Sequence, residues 1–308
     1  MVMLVVLTTS CGRDRHPPGA SFSVRILTPR TISGRWELAV ELGLDRIAAE
    51  LDADVARVRV DEAANERDRL VELGRAGISL VFCVGGCSET TLYSVASEYP
   101  HTVFVMLPGQ AHADNVAGIR FLPEEAGYLA GAVAGALNPD GQLGLIRGDG
   151  QPWLEPLEEG YAAGFKSRWR RATVKLGEGP DGAWELGSAG VLIALYAADR
   201  VDREVLAAAH NAGVRLVVTD PELLDVASDT VMAAVDFDVA EAMLRVAREL
   251  RDHTFVGRVF DFDLGSGVLD VLLSPALAPD NRSLAEEALE EARAEITAGL
   301  VEFDGLGL

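Results

Sequence analysis

Cys83 and Cys87 bracket the pair Gly85-Gly86, and they are the cysteines close enough in sequence to share a metal or a disulfide. A metal site would need further thiolates or imidazoles nearby. The five histidines, His16, His101, His112, His210 and His253, are scattered. A disulfide is permitted outside the cytoplasm, while buried free thiols are the preferred reading. The third cysteine, Cys11, follows the apolar run Met1–Thr9 and Ser10. That run is too short to span a bilayer, and it has the pattern of a lipoprotein signal cleaved before a lipid-bearing Cys11. No Lys or Arg precedes the run, and Thr8 stands where such signals usually carry Leu; a polar N-terminal tail is the alternative.

Other chemistry is easier to exclude. The chain has no Ser-His-Asp order, no HExxH and no paired-cysteine metal motif. Gly85-Gly86-Cys87-Ser88 is not followed by Gly-Lys-Ser/Thr, so it is not a phosphate loop. Glycines at the carboxyl end of a strand let backbone amides approach a ligand, which makes Gly86 and Ser88 candidate lining residues. Trp153 sits in a loop, where functional side chains concentrate. Arg147-Gly148-Asp149 is read as turn chemistry. No catalytic residue, metal or cofactor is expected, and the chain is not expected to be an enzyme.

The 308-residue, 32.8-kDa chain is long enough for two lobes. Its net charge of −21 and isoelectric point near 4.6 repel polyanions, so nucleic acid is not an expected partner. Short apolar runs alternate with amphipathic stretches. Expected strands cover Val24–Leu27, Val55–Val60, Leu80–Val84, Val103–Leu107, Val116–Phe121, Leu143–Ile146, Val191–Leu195 and Leu216–Thr219. Expected helices include Ser33–Leu51, with Trp36, Ala39, Val40, Gly43, Leu44 and Ile47 on one face, and Glu155–Arg168. A helix should follow Pro123, which suits a first helical turn, with Glu124 and Glu125 at its positive end and Asn138-Pro139-Asp140-Gly141 stopping it. Asp238 is the expected N-cap of a helix through Leu250, and the last helix is expected over Leu284–Leu300. The run Lys175–Gly182 reads as leading almost directly to Ser188; the family resemblance set out below implies a helix here, in truncated form. This alternation predicts parallel sheets covered on both faces, an α/β fold.

Four runs carry a resemblance: NVAGIRF from Asn115, EEAGYLAGAVA from Glu124, GQLGLIRG from Gly141 and LEEGYAAGFK from Leu157. They resemble the basic membrane protein family of substrate-binding lipoproteins, which includes the purine-nucleoside receptors of ABC importers. The match is collinear and continues to the C-terminus. It implies a type I periplasmic-binding-protein fold, two doubly wound parallel-sheet lobes joined by a hinge with a ligand cleft between them. The expected division is 1–21 as signal and linker, 22–119 plus 238–308 as one lobe, and 120–237 as the other. The family opens its first helix with D-x-S-F-N, where the Phe stacks on a nucleobase. Here Ser33-Gly34-Arg35-Trp36-Glu37 stands there, so Trp36 keeps a flat π-surface while Ser33 replaces the carboxylate. Pro108 replaces a second family Asp. Asp220 matches the Asp that takes ribose hydroxyls, with an Asx turn before Glu222 as its other reading. A family Lys becomes Val235 or Asp236, and bulk and charge at Tyr196–Arg200 replace a glycine-rich turn. Trp153 lies where the family approaches its ligand.

The resemblance implies an extracytoplasmic solute-binding lipoprotein, anchored through Cys11, that passes a nucleoside-like or other small polar solute to an ABC permease. The expected ligand set is Ser33, Arg35, Trp36, Gly86, Ser88, Trp153, Asp220 and Asp236. The competing expectation is a diverged sensing module that has lost transport and signals through a membrane partner.

Overall fold

The computed structural model describes residues 21–32, 34–60, 65–148, 154–198 and 200–303. In chain order the elements are β1 (Ser23–Pro29), α1 (Gly34–Leu51), β2 (Asp54–Val60), α2 (Glu66–Arg75), β3 (Leu80–Val84), α3 (Glu89–Glu98), β4 (Val103–Leu107) and β5 (Val116–Phe121). There follow α4 (Pro123–Leu137), β6 (Gln142–Arg147), α5 (Leu154–Arg168), β7 (Thr173–Glu178), α6 (Gly179–Ser188), β8 (Ile193–Ala197), α7 (Arg203–Ala212), β9 (Arg215–Val218) and α8 (Leu223–Val226). The chain continues through β10 (Val231–Phe237), α9 (Val239–Arg251), β11 (Val259–Phe262), β12 (Leu269–Leu273) and α10 (Pro279–Thr297).

Two six-stranded sheets form, in the orders β11-β5-β4-β3-β1-β2 and β12-β10-β9-β8-β6-β7. From β2 to β5, and again from β7 to β10, the same doubly wound order recurs: second strand, first, third, fourth, fifth. Such an order reverses direction once, between β1 and β3 in one sheet and between β6 and β8 in the other. This is the type I periplasmic-binding-protein fold. The central strands β3 (LVFCV) and β4 (VFVML) are buried at every residue. Helices on both faces of a parallel sheet leave its central strands no polar side, so the sequence there does not alternate.

The helix signals act as the residue types predict. Pro123 opens α4 with Glu124 and Glu125 in its first turn. Asp238 caps α9 by accepting the Glu241 N–H at 3.0 Å. Asp202 caps α7 through the Glu204 N–H at 2.8 Å, and Gly213 ends that helix in the left-handed region, φ 73°.

One expectation is corrected. The stretch read as a truncated helix holds β7 and the ten-residue α6. Its glycines hid it: Gly177 and Gly182 pack so closely that a Cβ on Gly177 would meet the Gly182 Cα at 2.7 Å. Among the described residues, one compact unit takes 21–30, 44–118 and 244–258, and the other takes 31–43, 119–243 and 259–303. β12 pairs antiparallel with β10. On α10, Glu295 accepts the Tyr128 hydroxyl at 2.8 Å and Glu291 pairs with Arg168 at 2.6 Å. These bonds hold the C-terminal helix to the second unit rather than the first.

Within the second unit, Glu125 Oε2 accepts the Leu264 N–H at 2.7 Å. Burial raises the Glu125 carboxyl above its ordinary value, the Leu264 bond opposes this, and Asp263 and Glu124 add to the rise. The folded chain therefore holds this proton more tightly than the unfolded chain does. Its contribution to stability is present below the unfolded pKa of about 4.3 and is lost as pH rises through the native value. Glu125→Gln keeps an acceptor for Leu264 and removes the charge. Denaturant unfolding from pH 4 to 7 should show a smaller loss of stability in this variant than in the parent.

Candidate functional site

In a doubly wound sheet, ligands gather outside the strand carboxyl ends where the order reverses. In the first sheet the relevant loops leave β1 and β3. The loop after β3 is Gly85-Gly86-Cys87-Ser88. Gly85 and Gly86 adopt φ 79° and 138°, a region that disfavours a Cβ. Around Gly86 there is open space, so its constraint is conformational rather than steric. Gly86 and Ser88 are both exposed. Ser88 caps α3, its Oγ accepting the Thr91 N–H at 3.4 Å. The Ser88 N–H donates to Glu66 Oε1 at 3.0 Å, and Glu66 is itself 8 % exposed. A separation of 22 residues gave no signal of that bond. Gly85 N–H donates to the Leu107 carbonyl at 3.0 Å, tying the turn to β4.

Cys83 is buried, Cys87 is half-buried, and both are free thiols. The hydrogen bond with Cys87 raises the Cys83 pKa most, followed by burial and by the negative charges of Cys87 and Glu66. The preferred reading of free thiols holds in this structure. Among the described residues no group of three or more His, Cys, Asp or Glu could hold a metal.

In the second sheet the reversal lies between β6 and β8. Gly148 N–H donates to the Ala197 carbonyl at 2.9 Å, and a Cβ on Gly148 would meet the Ala198 Cβ at 2.5 Å. The two loops therefore touch through glycine. Tyr196 opens the stretch whose bulk and charge stand in place of a glycine-rich turn. It is 2 % exposed, and its hydroxyl accepts the Asp202 N–H at 3.0 Å. Arg147 ends β6 and donates from Nε to Glu158 Oε2 at 2.9 Å. Glu158, on α5, is 4 % exposed, so the pair joins the strand end to the following helix. Arg147 is therefore more than turn chemistry, with a partner eleven residues away that no local motif signals.

Asp220 follows β9 and is half-buried. Its Oδ1 accepts the Glu222 N–H at 3.0 Å, the Asx turn named as its alternative. Oδ2 faces no hydrogen-bond donor among the described residues. Asp236, half-buried, lies near the end of β10 opposite Asp270 of β12. Val218 and Ala234 are register partners, so Asp220 and Asp236 each lie two residues beyond that pair, at the same level on neighbouring strand ends. Trp36 is half-buried in the first turn of α1, where Arg35 also lies. Cys11, Ser33 and Trp153 fall outside the described residues.

A family model described as ABC transporter substrate-binding protein PnrA-like matches residues 27–295. The chain belongs to this family. Among curated relatives, the transcriptional activator protein Med of Bacillus subtilis is 22 % identical over 291 residues, covering 90 % of each chain. Among solved structures, a transcriptional activator of the comK gene from Bacillus halodurans superposes with a TM-score of 0.77 at 23 % identity, over 90 % of this chain and 98 % of that one. An ABC transporter solute-binding protein from Conexibacter woesei gives 0.74 at 19 % identity, over 94 % and 100 %. At these identities the likenesses show the fold. The PnrA-like family is one of substrate-binding proteins, generally without enzymatic activity, and solute-binding proteins of ABC importers work outside the cytoplasm. No helix among the described residues of this PnrA-like chain is long and apolar enough to cross a membrane.

Proposed function

We propose that this PnrA-like protein is an extracytoplasmic receptor, lipid-anchored at Cys11, that binds a small polar solute of the nucleoside class and passes it to an ABC permease. The observation that carries the reading is the family match from residue 27 to 295, which covers both sheets and their order reversals. Trp36 offers a stacking face for a planar base, and the backbone around Gly86 and Ser88 offers polar contacts. Asp220 and Asp236 offer carboxylates for hydroxyl donors, and an ionised acceptor makes such bonds stronger than neutral ones. Ser33, Arg35 and Trp153 complete the proposed set.

A thermal-shift screen of the chain lacking its first twenty or so residues tests this, using nucleosides, bases, sugars and amino acids. A ligand at a hundredfold excess over its dissociation constant should add about 2.7 kcal/mol. Trp36→Ala and Asp220→Ala should each remove the nucleoside shift. A cooperatively melting protein that no nucleoside shifts would overturn the ligand class.

The likeness to Med over 90 % of both chains favours a second reading, a ligand-sensing module without transport. Deleting the gene separates the two. Loss of labelled-solute uptake supports the receptor; altered transcription with uptake unchanged supports the sensor.

A further inference from the structure

Arg147 has no part in the solute-binding reading, although it ends β6 where the second sheet reverses. The strand is buried from Leu143 to Ile146, and Arg147 emerges from it exposed. Its register partners are Glu178 of β7 and Ala197 of β8, so it stands at the carboxyl ends of three adjacent strands. That edge is where a doubly wound sheet offers its crevice.

One side of the guanidinium is already held. Nε and Nη2 both reach Glu158 Oε2, at 2.9 and 2.8 Å. The Glu158 side chain is 6 % exposed and that of Arg147 is 44 % exposed. A buried carboxylate on α5 therefore fixes the guanidinium, while its outer end stays open. Among the described residues nothing else pairs with it. Nη1 and the outer N–H of Nη2 remain, a parallel pair of donors suited to two adjacent acceptors.

We propose that this outer fork of Arg147 selects the base of the solute by donating to the adjacent O6 and N7 acceptors of a 6-oxopurine nucleoside. The proposal rests on the nucleoside reading above. Guanine presents that acceptor pair to an arginine, whereas adenine presents N7 beside an amino donor. A donor facing a donor leaves an N–H of the fork unpaired, which costs more than a missing attraction. Charge disfavours the other usual partner of such a fork, an anion. The Glu158 hydrogen bond raises the Arg147 pKa most, and the charges of Glu158, Glu155 and Glu178 raise it further against the opposing effect of burial. Three carboxylates around one guanidinium leave the neighbourhood negative, in a chain of net charge −21. A neutral acceptor pair is tolerated there; a phosphate is repelled. Glu158 is a positioning residue in this arrangement.

Calorimetric titration of the full-length chain with guanosine, inosine, adenosine and guanosine monophosphate tests this. Guanosine and inosine should each bind about tenfold more tightly than adenosine, and the monophosphate no more tightly than guanosine. Arg147→Lys keeps a cation beside Glu158 and loses the fork. It should weaken guanosine binding about tenfold and leave adenosine binding unchanged. A merely structural role for Arg147 would weaken both alike. The order of affinities in the parent needs no variant, so a poorly folding Arg147→Lys leaves the test intact. Adenosine bound as tightly as guanosine, a more tightly bound monophosphate, or equal losses for both bases in Arg147→Lys overturns the proposal and leaves the nucleoside reading standing. Binding of no nucleoside overturns both.

Discussion

Replacing Gly131 with alanine is expected to destabilise the second unit by about 3 kcal/mol, at the upper end of ordinary overpacking. On helix propensity alone the change should stabilise by about 1 kcal/mol, so the two effects predict opposite signs. Geometry decides between them. A Cβ on Gly131 would lie 2.0 Å from the Tyr161 carbonyl oxygen, and one on Gly164 would lie 2.0 Å from the Tyr128 carbonyl oxygen. Gly127 and Gly160 meet Leu157 and Glu124 carbonyls at 2.3 and 2.0 Å in the same way. The obstacle is backbone, so no side chain can turn aside, and α4 and α5 must separate. The melting temperature should fall by about 6–12 °C. Gly164→Ala should cost a similar amount. The double variant should cost less than the two together, because one separation relieves both clashes. Gly43→Ala is the control: its Cβ would press on the flexible Met243 side chain, Sδ at 3.0 Å and Cε at 3.2 Å, with backbone no nearer than the Ala240 Cα at 3.8 Å. That variant should be neutral or stabilised by up to about 1 kcal/mol. A Gly131→Ala protein as stable as its parent in urea unfolding would show that the helices are not so close.

Asn115→Ala should destabilise the first unit by about 2–4 kcal/mol, the loss of three buried or part-buried hydrogen bonds at roughly 1 kcal/mol each. Asn115 is 9 % exposed. Its Nδ2 reaches the Ala96, Tyr99 and Thr102 carbonyls at 3.0, 3.1 and 2.9 Å. Ala96 and Tyr99 end α3; their carbonyls also accept the Tyr99 and Thr102 N–H groups at 3.3 and 3.1 Å, so Asn115 adds a second donor to each. Asn115, just before β5, thus caps that helix from beyond β4, and its own carbonyl accepts the Phe104 N–H of β4 at 2.9 Å. Asn115→Asp is the sharper test, since it exchanges a donor for a carboxylate facing three oxygens. The folded variant should hold a proton more tightly than the unfolded chain, so its deficit should grow as pH rises from about 4. Amide exchange in α3 should quicken in both variants. Unchanged protection there would remove the capping role.

These two sites show what the family-like runs in the sequence record. NVAGIRF begins with the asparagine that closes α3. The glycines of EEAGYLAGAVA and LEEGYAAGFK set the α4–α5 contact, and Tyr128 and Glu158 of the same runs bond to Glu295 and Arg147. The residues that carry the resemblance are therefore largely scaffold. They identify the fold and say little about the ligand, because the chain departs from the family's ligand positions at Ser33, at Pro108 and at Val235 or Asp236.

By itself the sequence determined the type and approximate limits of most elements, the helix caps at Asp238 and Gly213, and the strand ends that carry Gly86, Ser88 and Asp220. Those features depend on periodicity and on hydrogen bonds within a few residues, which composition records directly. Only the tertiary structure decided that β12 pairs with β10, that α10 belongs with α4, and that Glu66 holds Ser88. Only it could reveal α6, because glycines that look like linker residues are there to let backbones meet. Each of these depends on a partner distant in the chain, chosen by which buried polar group or strand edge would otherwise be left unpaired.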